Sequence, residues 1–261
     1  MDLGLRDRVY VVTGGTSGLG RAVAEVLVGE GARVVVSSRS AEHVAATVAD
    51  LGEARAEGVA ADNADPEAPE RLLAAALTRF GRLDGALISV GGPAAGRFAG
   101  ITDEAWRTSF ESVFLGAVRL CRVLAGALAV DEPRRPPGSG GAIGLVLSTS
   151  ARSPIPGLTA SNGFRPGLAM LTKQMADEYG GRDVRFVGLL PGRIATARLA
   201  ELDGSGADGS AARARHEAAI PLGRYGEPAE LGRVGAFLLS PAASYVTGSL
   251  IPVDGGLLRS P

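Results

Sequence analysis

The chain has 261 residues, 46% of them hydrophobic, enough to bury the core of one large α/β domain. A net charge of −1 and a pI of about 6.2 exclude a basic nucleic-acid groove and an anionic membrane surface as partners, and Arg21, Arg33 and Arg39 are scattered rather than clustered. Cys121, the single cysteine, lies in an apolar helical pattern and reads as core, so disulfides and thiolate metal sites are excluded and no metal site is expected. No apolar stretch approaches the roughly 18 residues of a membrane span, and the first strand is entered without a charged and apolar leader, which points to the cytoplasm.

Arg8–Gly20, RVYVVTGGTSGLG, opens the chain's order. Val9, Val11 and Val12 form a β-branched run suited to a strand buried on both faces, and the glycines after it turn the chain into a helix. A helix N-terminus offers unpaired N–H groups and partial positive charge, and glycines let an anion approach them. Gly14, Gly18 and Gly20, with Thr16, Ser17 and Leu19 between them, are therefore expected to cradle a phosphate. Arg21–Glu30 carries a helical stripe ended by Gly29 and Gly31, and Val34–Val36 follow as a second buried strand. This strand–loop–helix–strand unit crosses over right-handed and places a dinucleotide beyond the strands' carboxyl ends. The second strand ends in Ser37, Ser38 and Arg39, where a carboxylate would repel a 2′-phosphate and an arginine would hold one. Arg39 with Ser38 therefore favours NADP(H); a solvated surface arginine is the alternative.

A helix is expected over Ala41–Leu51 and a short strand over Ala54–Ala61, ending in Asp62 and Asn63. These two either reach an adenine or build the turn before Pro66. Glu67–Phe80 reads as an amphipathic helix, Leu83–Ser89 as the fourth strand, and Val90-Gly91-Gly92-Pro93 as the loop after it. Thr102–Leu128 reads as one long helix capped by Thr102, its face of Trp106, Phe110, Val113, Phe114, Ala117 and Leu120 broad enough to pack against another subunit. Asp131–Gly141 is a proline- and glycine-rich surface loop. Ala142–Leu147 returns to strand with Ser148, Thr149 and Ser150 at its end, and a helix entered at Pro166 follows. The strand Arg185–Leu190 then leads into Pro191-Gly192-Arg193-Ile194-Ala195-Thr196. Glycine-rich Leu202–Ser210, within a span of 193–220, reads either as a mobile substrate lid or as a disordered insertion. A helix over Pro228–Ser240 and a strand over Ser249–Val253 close the chain.

Thr13-Gly14 with Gly18 and Gly20, then Asp62, Pro191-Gly192 with Thr196, and the tail from PLGRYGEPAELGRVGAFLLS to SYVTGSLIPVDGG resemble the short-chain dehydrogenase/reductase family over nearly the whole length. The resemblance implies a single Rossmann-like doubly wound domain over 1–261, with a seven-stranded parallel sheet between helices, and a nicotinamide cofactor. It also implies carbonyl–alcohol chemistry on a small molecule, and a homo-oligomer, tetramer or dimer, built on the two long helices. It places Gly91, Pro191, Gly192, Ile194 and Thr196 beside the cofactor, with Ile194 and Thr196 near the nicotinamide and pyrophosphate.

Counted against the family's serine, tyrosine and lysine, the catalytic positions fall on Ser148, Ser161 and Arg165, and the asparagine of its proton relay falls on Val113. A serine hydroxyl is a far weaker acid than a tyrosine beside a lysine, and an arginine holds an oxyanion but relays protons poorly. Three readings follow. In a reductase, Ser148 and Arg165 polarise a carbonyl while water or the substrate supplies the proton. In a non-redox cyclase, isomerase or lyase, Ser148, Ser161, Asn162 and Arg165 steady an enolate. The third reading is a cofactor-binding protein without catalysis. With Pro166 starting the helix, Ser161 and Arg165 need not share a face. His216 reads as solvated beside Arg213, Arg215 and Glu217, with an acid–base role open if the lid folds inward. Tyr179 and Tyr225 do not replace the missing tyrosine by spacing, and Arg97, Arg152 and Arg193 stand on loops where an acidic substrate could meet them.

Overall fold

The apolar runs become seven parallel strands in a computed structural model that describes residues 1–129, 140–204 and 206–259. They are β1 Val9–Thr13, β2 Arg33–Ser38, β3 Ala56–Ala60, β4 Gly85–Ile88, β5 Gly141–Val146, β6 Val184–Pro191 and β7 Ser249–Val253, in the order β3-β2-β1-β4-β5-β6-β7. The helices are α1 Gly18–Gly29, α2 Ala41–Leu51, α3 Ala68–Phe80, α4 Asp103–Ser109, α5 Gly116–Leu128, α6 Thr159–Tyr179, α7 Ala197–Asp203, α8 Gly206–Ala219 and α9 Pro228–Leu239. Residues 131–139 of the proline-rich stretch lie outside the described residues.

Strand alternation sorts the core into two layers. On β1, Val9 and Val11 face one side with Leu72 of α3, Leu120 and Leu124 of α5 and Leu168 of α6. Tyr10 and Val12 face the other, against Val23 and Leu27 of α1 and Leu231 and Leu239 of α9. Covering both faces is what an all-parallel sheet requires, and the doubly wound Rossmann-like fold follows. The α1 and α9 backbones meet closely because Gly232 lacks a side chain: a Cβ there would lie 2.7 Å from the Ala22 carbonyl oxygen.

The expected long helix from Thr102 is continuous to Leu128, but Phe110–Leu115 winds as a π-helix between α4 and α5, with Val113 buried inside it. Thr102 does cap it, accepting from the Ala105 amide at 3.2 Å. A second difference lies at Pro166. The helix begins at Thr159, seven residues earlier than the proline suggests, and carries Pro166 in its interior. An interior proline removes a hydrogen bond and crowds the carbonyl of residue 162. Packing outweighs that cost: Leu168, Ala169 and Thr172 are buried, and Gly163 and Gly167 let Trp106 and Phe114 pack against the helix backbone. Within the glycine-rich 202–210 segment, Leu202–Asp203 ends α7 and α8 starts at Gly206, with Gly204 at φ +84° between them. Among the described residues no helix is long and apolar enough to cross a membrane, and no cluster of side chains could hold a metal ion.

Candidate active site

Because β1 has its neighbours β2 and β4 on opposite sides, the chain leaves the sheet centre in both directions and a crevice opens beyond the strands' carboxyl ends. A cavity of about 1250 Å³ occupies it, larger than the roughly 300–1,000 Å³ that houses one small ligand. The wall on the β1 side is the glycine loop. Gly14 adopts φ +57°, and a Cβ there would sit 2.6 Å from the Ser89 carbonyl oxygen, so only glycine permits the turn. Thr13 holds the same junction shut: its Oγ1 donates to Ser89 O at 3.2 Å and accepts from Ser89 N at 2.9 Å. Ser17 is the N-cap of α1 but makes no side-chain capping bond, so the first-turn N–H groups beside Gly18 and Leu19 look into the cavity. A dinucleotide pyrophosphate fits this wall, where oriented amides and the helix dipole await an anion.

Across the cavity stand Ser148 after β5 and Ser161 and Arg165 on α6. Contrary to the expectation from Pro166, Ser161 and Arg165 share the buried face of the helix, one turn apart. Ser161 Oγ lies 3.0 Å from Ser150 Oγ, and Ser148 Oγ accepts from the Ser150 amide at 3.0 Å, which ties all three serines to the end of β5. Arg165 is 5% exposed; its Nη1 donates to Val146 O at 2.9 Å, its Nη2 to Gly91 O at 3.4 Å, and its Nε has no partner. Burial pushes its pKa down to about 10, which leaves the guanidinium charged near neutral pH. Asn162 does not join this wall: its side-chain amide accepts from Ile155 N and donates to Ile155 O, clamping the loop before α6.

Gly14, Ser17, Gly18, Leu19, Gly91, Pro191, Gly192, Ile194 and Thr196 all line this cavity. Thr16, Gly20, Ser38, Asp62 and Asn63 do not. Gly20 is buried beneath the loop, Ser38 Oγ donates to Ser40 O at 3.4 Å, and Asp62 accepts from the Ala64 amide at 2.9 Å, the turn-building alternative. Arg39 is exposed on the rim of a smaller cavity with Ser109 and Ser112, which meets the main one at Gly92 and Pro93.

The third wall comes from α7 and α8, and His216, a third of its side chain still exposed, faces the cavity here and takes partners that its sequence neighbours did not suggest. Arg193 Nη2 lies 2.8 Å from His216 Nε2, Arg193 Nη1 donates to Asp203 Oδ1 at 2.7 Å, and Tyr225 OH donates to Asp203 Oδ2 at 2.7 Å. An arginine can only donate, so Nε2 accepts and the imidazole carries its hydrogen on Nδ1, facing Tyr225 OH at 3.1 Å. Desolvation first, then Arg193, lowers the His216 pKa from the ordinary 6.5, while Asp203 opposes them. Arg193, Asp203 and His216 line the cavity. Asp203 carried no signal in the sequence, standing alone at the edge of a glycine-rich stretch.

The chain belongs to the short-chain dehydrogenase/reductase family: a family model described as enoyl-(acyl carrier protein) reductase matches residues 14–258. Levodione reductase of Leifsonia aquatica is 33% identical over 96% of this chain and 94% of its own, and an uncharacterized oxidoreductase of Mycobacterium tuberculosis is 32% identical over 97% and 93%. Among solved structures, L-sorbose reductase of Gluconobacter frateurii, complexed with NADPH and L-sorbose, superposes over the whole of both chains with a TM-score of 0.89 and 28% identity.

Proposed function

We propose that the protein is an NADPH-dependent oxidoreductase acting on the carbonyl of a small metabolite through a non-standard reacting wall, with Ser161 at the family's tyrosine position and Arg165 at its lysine position. The observation that carries this is a single cavity joining the glycine loop and open α1 terminus to Ser148, Ser161 and Arg165. The NADPH complex of the sorbose reductase supports the cofactor, and Arg39 at the end of β2 suits its 2′-phosphate. When bound, the nicotinamide supplies or accepts a hydride. As the carbonyl oxygen gains charge, the Ser148 hydroxyl and the Arg165 guanidinium hold it by hydrogen bonds. The proton then comes from water or from the substrate itself, since this wall carries no tyrosine–lysine pair to relay one. Helices α7 and α8 cover the substrate end, within the lid expected over 193–220, and the whole chain acts as one domain in the cytoplasm.

The buried charge of Arg165 favours a second reading, a non-redox isomerase, cyclase or lyase that steadies an enolate. Product formed without net cofactor oxidation selects it, and nucleotide binding without any turnover selects a non-catalytic protein. Assembly into a dimer or tetramer is proposed through α4, α5 and α6, where Phe110 and Met170 remain exposed beside a cluster of Trp106, Phe114 and Phe164. Parallel calorimetric titrations with NADPH and NADH test the cofactor reading. Tighter binding of NADPH is expected, falling about tenfold in Arg39→Ala, the loss of one charge-assisted contact. Absence of binding by either nucleotide sinks the proposal.

A further inference from the structure

We infer that Arg165 receives an anionic oxygen of the substrate, a carboxylate or an enolate, so that the enzyme acts on acidic carbonyl compounds in preference to neutral ones. The inference rests on the proposed reading of the Ser148–Ser161–Arg165 wall as the reacting one, and it holds whether the chemistry is redox or not.

Arg165 is a cation withdrawn from water, and no carboxylate of the described residues pairs with it. Its two protein acceptors are backbone carbonyls, one of them at a long 3.4 Å, and its Nε is without any partner. Desolvation alone moves its pKa; no carboxylate's field opposes the shift. Buried arginines are ordinarily paired, since an isolated buried charge is destabilising. Each Nη uses one of its two hydrogens on a backbone carbonyl, and Arg165 lines the cavity, so donors are left for a ligand.

The remaining charges of the cavity do not supply the missing anion. Among the described residues its lining carries Arg152, Arg193, Arg198 and Arg259 as well, against a single carboxylate, Asp203. Asp203 is already engaged by Arg193 and Tyr225. The cofactor does not supply the anion either. Its pyrophosphate fits the α1 terminus after β1 and its 2′-phosphate suits Arg39 after β2, whereas Arg165 is fastened to Val146 at the end of β5 and to Gly91 after β4. A nicotinamide ribose, were it to reach this wall, would be neutral. Hydroxyls can take hydrogen bonds from Arg165, yet only an anion neutralises it, and the planar guanidinium fork matches a carboxylate or a delocalised enolate.

The test uses the full-length protein saturated with NADP⁺, so that no ketone is turned over, and measures binding by calorimetry. Three probes are compared: pyruvate, a carboxylate; 1,3-cyclohexanedione, an enolate near neutral pH; and its isomer 1,4-cyclohexanedione, which stays neutral. At least one anionic probe should bind about tenfold more tightly than the neutral isomer, the yield of one charge-assisted contact. Pyruvate as the favoured probe identifies a keto acid, and the 1,3-dione identifies an enolisable dicarbonyl. Arg165→Met should abolish the preference and Arg165→Lys should retain part of it, with NADP⁺ affinity held within about threefold in both. Equal binding of all three probes overturns the inference. So does a preference that survives Arg165→Met, which would place the anion on the other arginines, or a parallel tenfold loss of NADP⁺, which would make Arg165 a cofactor ligand. If the methionine variant does not fold, the lysine variant and loss of the preference in high salt decide the matter. Failure of NADP⁺ to bind at all is a separate result that counts against the proposed function, and the probe series is then run without nucleotide.

Discussion

Replacing Asp203 with asparagine removes one charge from the α7–α8 wall while keeping its shape. The Asp203 side chain is 9% exposed and accepts from Arg193 and from Tyr225, both at 2.7 Å, with His216 Nδ1 3.3 Å away. The amide can still accept from Tyr225, but the charge-assisted bond to Arg193 becomes a neutral one at best. The difference between the two kinds of bond is about 1–2 kcal/mol. Arg193 bridges the end of β6 to α7 and α8, so the loss should be local. Amide exchange in α7 and α8 is expected to speed by about 5–30-fold, the same free energy written as an opening constant, with little change in β1 or β4. Asp203 is also the one group that raises the His216 pKa against desolvation, Arg193 and Arg215. In Asp203→Asn that pKa should therefore fall further below 6.5, read by NMR titration. A His216 pKa that stays put or rises, together with unchanged exchange in α8, would refute the network as drawn.

In the wild type, the lowered His216 pKa has a definite sign. Between the ordinary value of 6.5 and the lower folded value the unfolded chain binds more proton, so this histidine's contribution to stability is intact above that window and declines as pH falls through it; His216→Gln should flatten that part of a denaturation-versus-pH curve. Gly20→Ala places a methyl against the Gly14 carbonyl oxygen and within 3.1 Å of Thr13 O, all backbone. A loss of about 2–3 kcal/mol in chemical denaturation and of measurable NADPH binding is expected. Unchanged nucleotide affinity would remove the glycine loop from the binding site. Asp84 is 6% exposed and accepts from Val9 N at 2.9 Å and from Arg82 Nε at 2.8 Å, pinning the first residue of β1. Asp84→Ala leaves that buried amide unpaired and should cost about 3 kcal/mol, or roughly 6–12 °C in Tm by calorimetry. Installing Ser161→Tyr with Arg165→Lys supplies a phenol beside an ammonium, and NADPH consumption across a panel of simple ketones should rise by at least about tenfold. No gain would show that proton supply is not what limits the native wall.

Much of the architecture is legible along the chain because it depends on neighbours in sequence. The valine run of β1, the glycines after it, and the apolar stripe of α2 over Ala41–Leu51 are local patterns, and all seven strands stand where β-branched runs or strand ends announce them. The glycine-loop wall is legible for the same reason: Gly14–Gly20 is one continuous segment whose backbone demands follow from its composition. Pro166 shows where local rules stop. Its ring and its effect on Arg165 argue for a helix boundary, and only the burial of Leu168 and Ala169, with Trp106 and Phe114 laid against Gly163 and Gly167, carries the helix through it. That same tertiary choice puts Ser161 and Arg165 on one face.

Sequence by itself determined the class of the fold and the position of an anion-accepting helix terminus, because both are written in periodicity and in glycine. Tertiary structure decided how the groups of the other two walls meet. Arg165 became a buried cation without a counter-charge, and Arg193, Asp203, His216 and Tyr225 became one hydrogen-bonded set, because folding brought groups from separate loops and helices within 3.5 Å of their partners. Burial, desolvation and the pairing of charges are properties of neighbours in space, and no spacing along the chain encodes them.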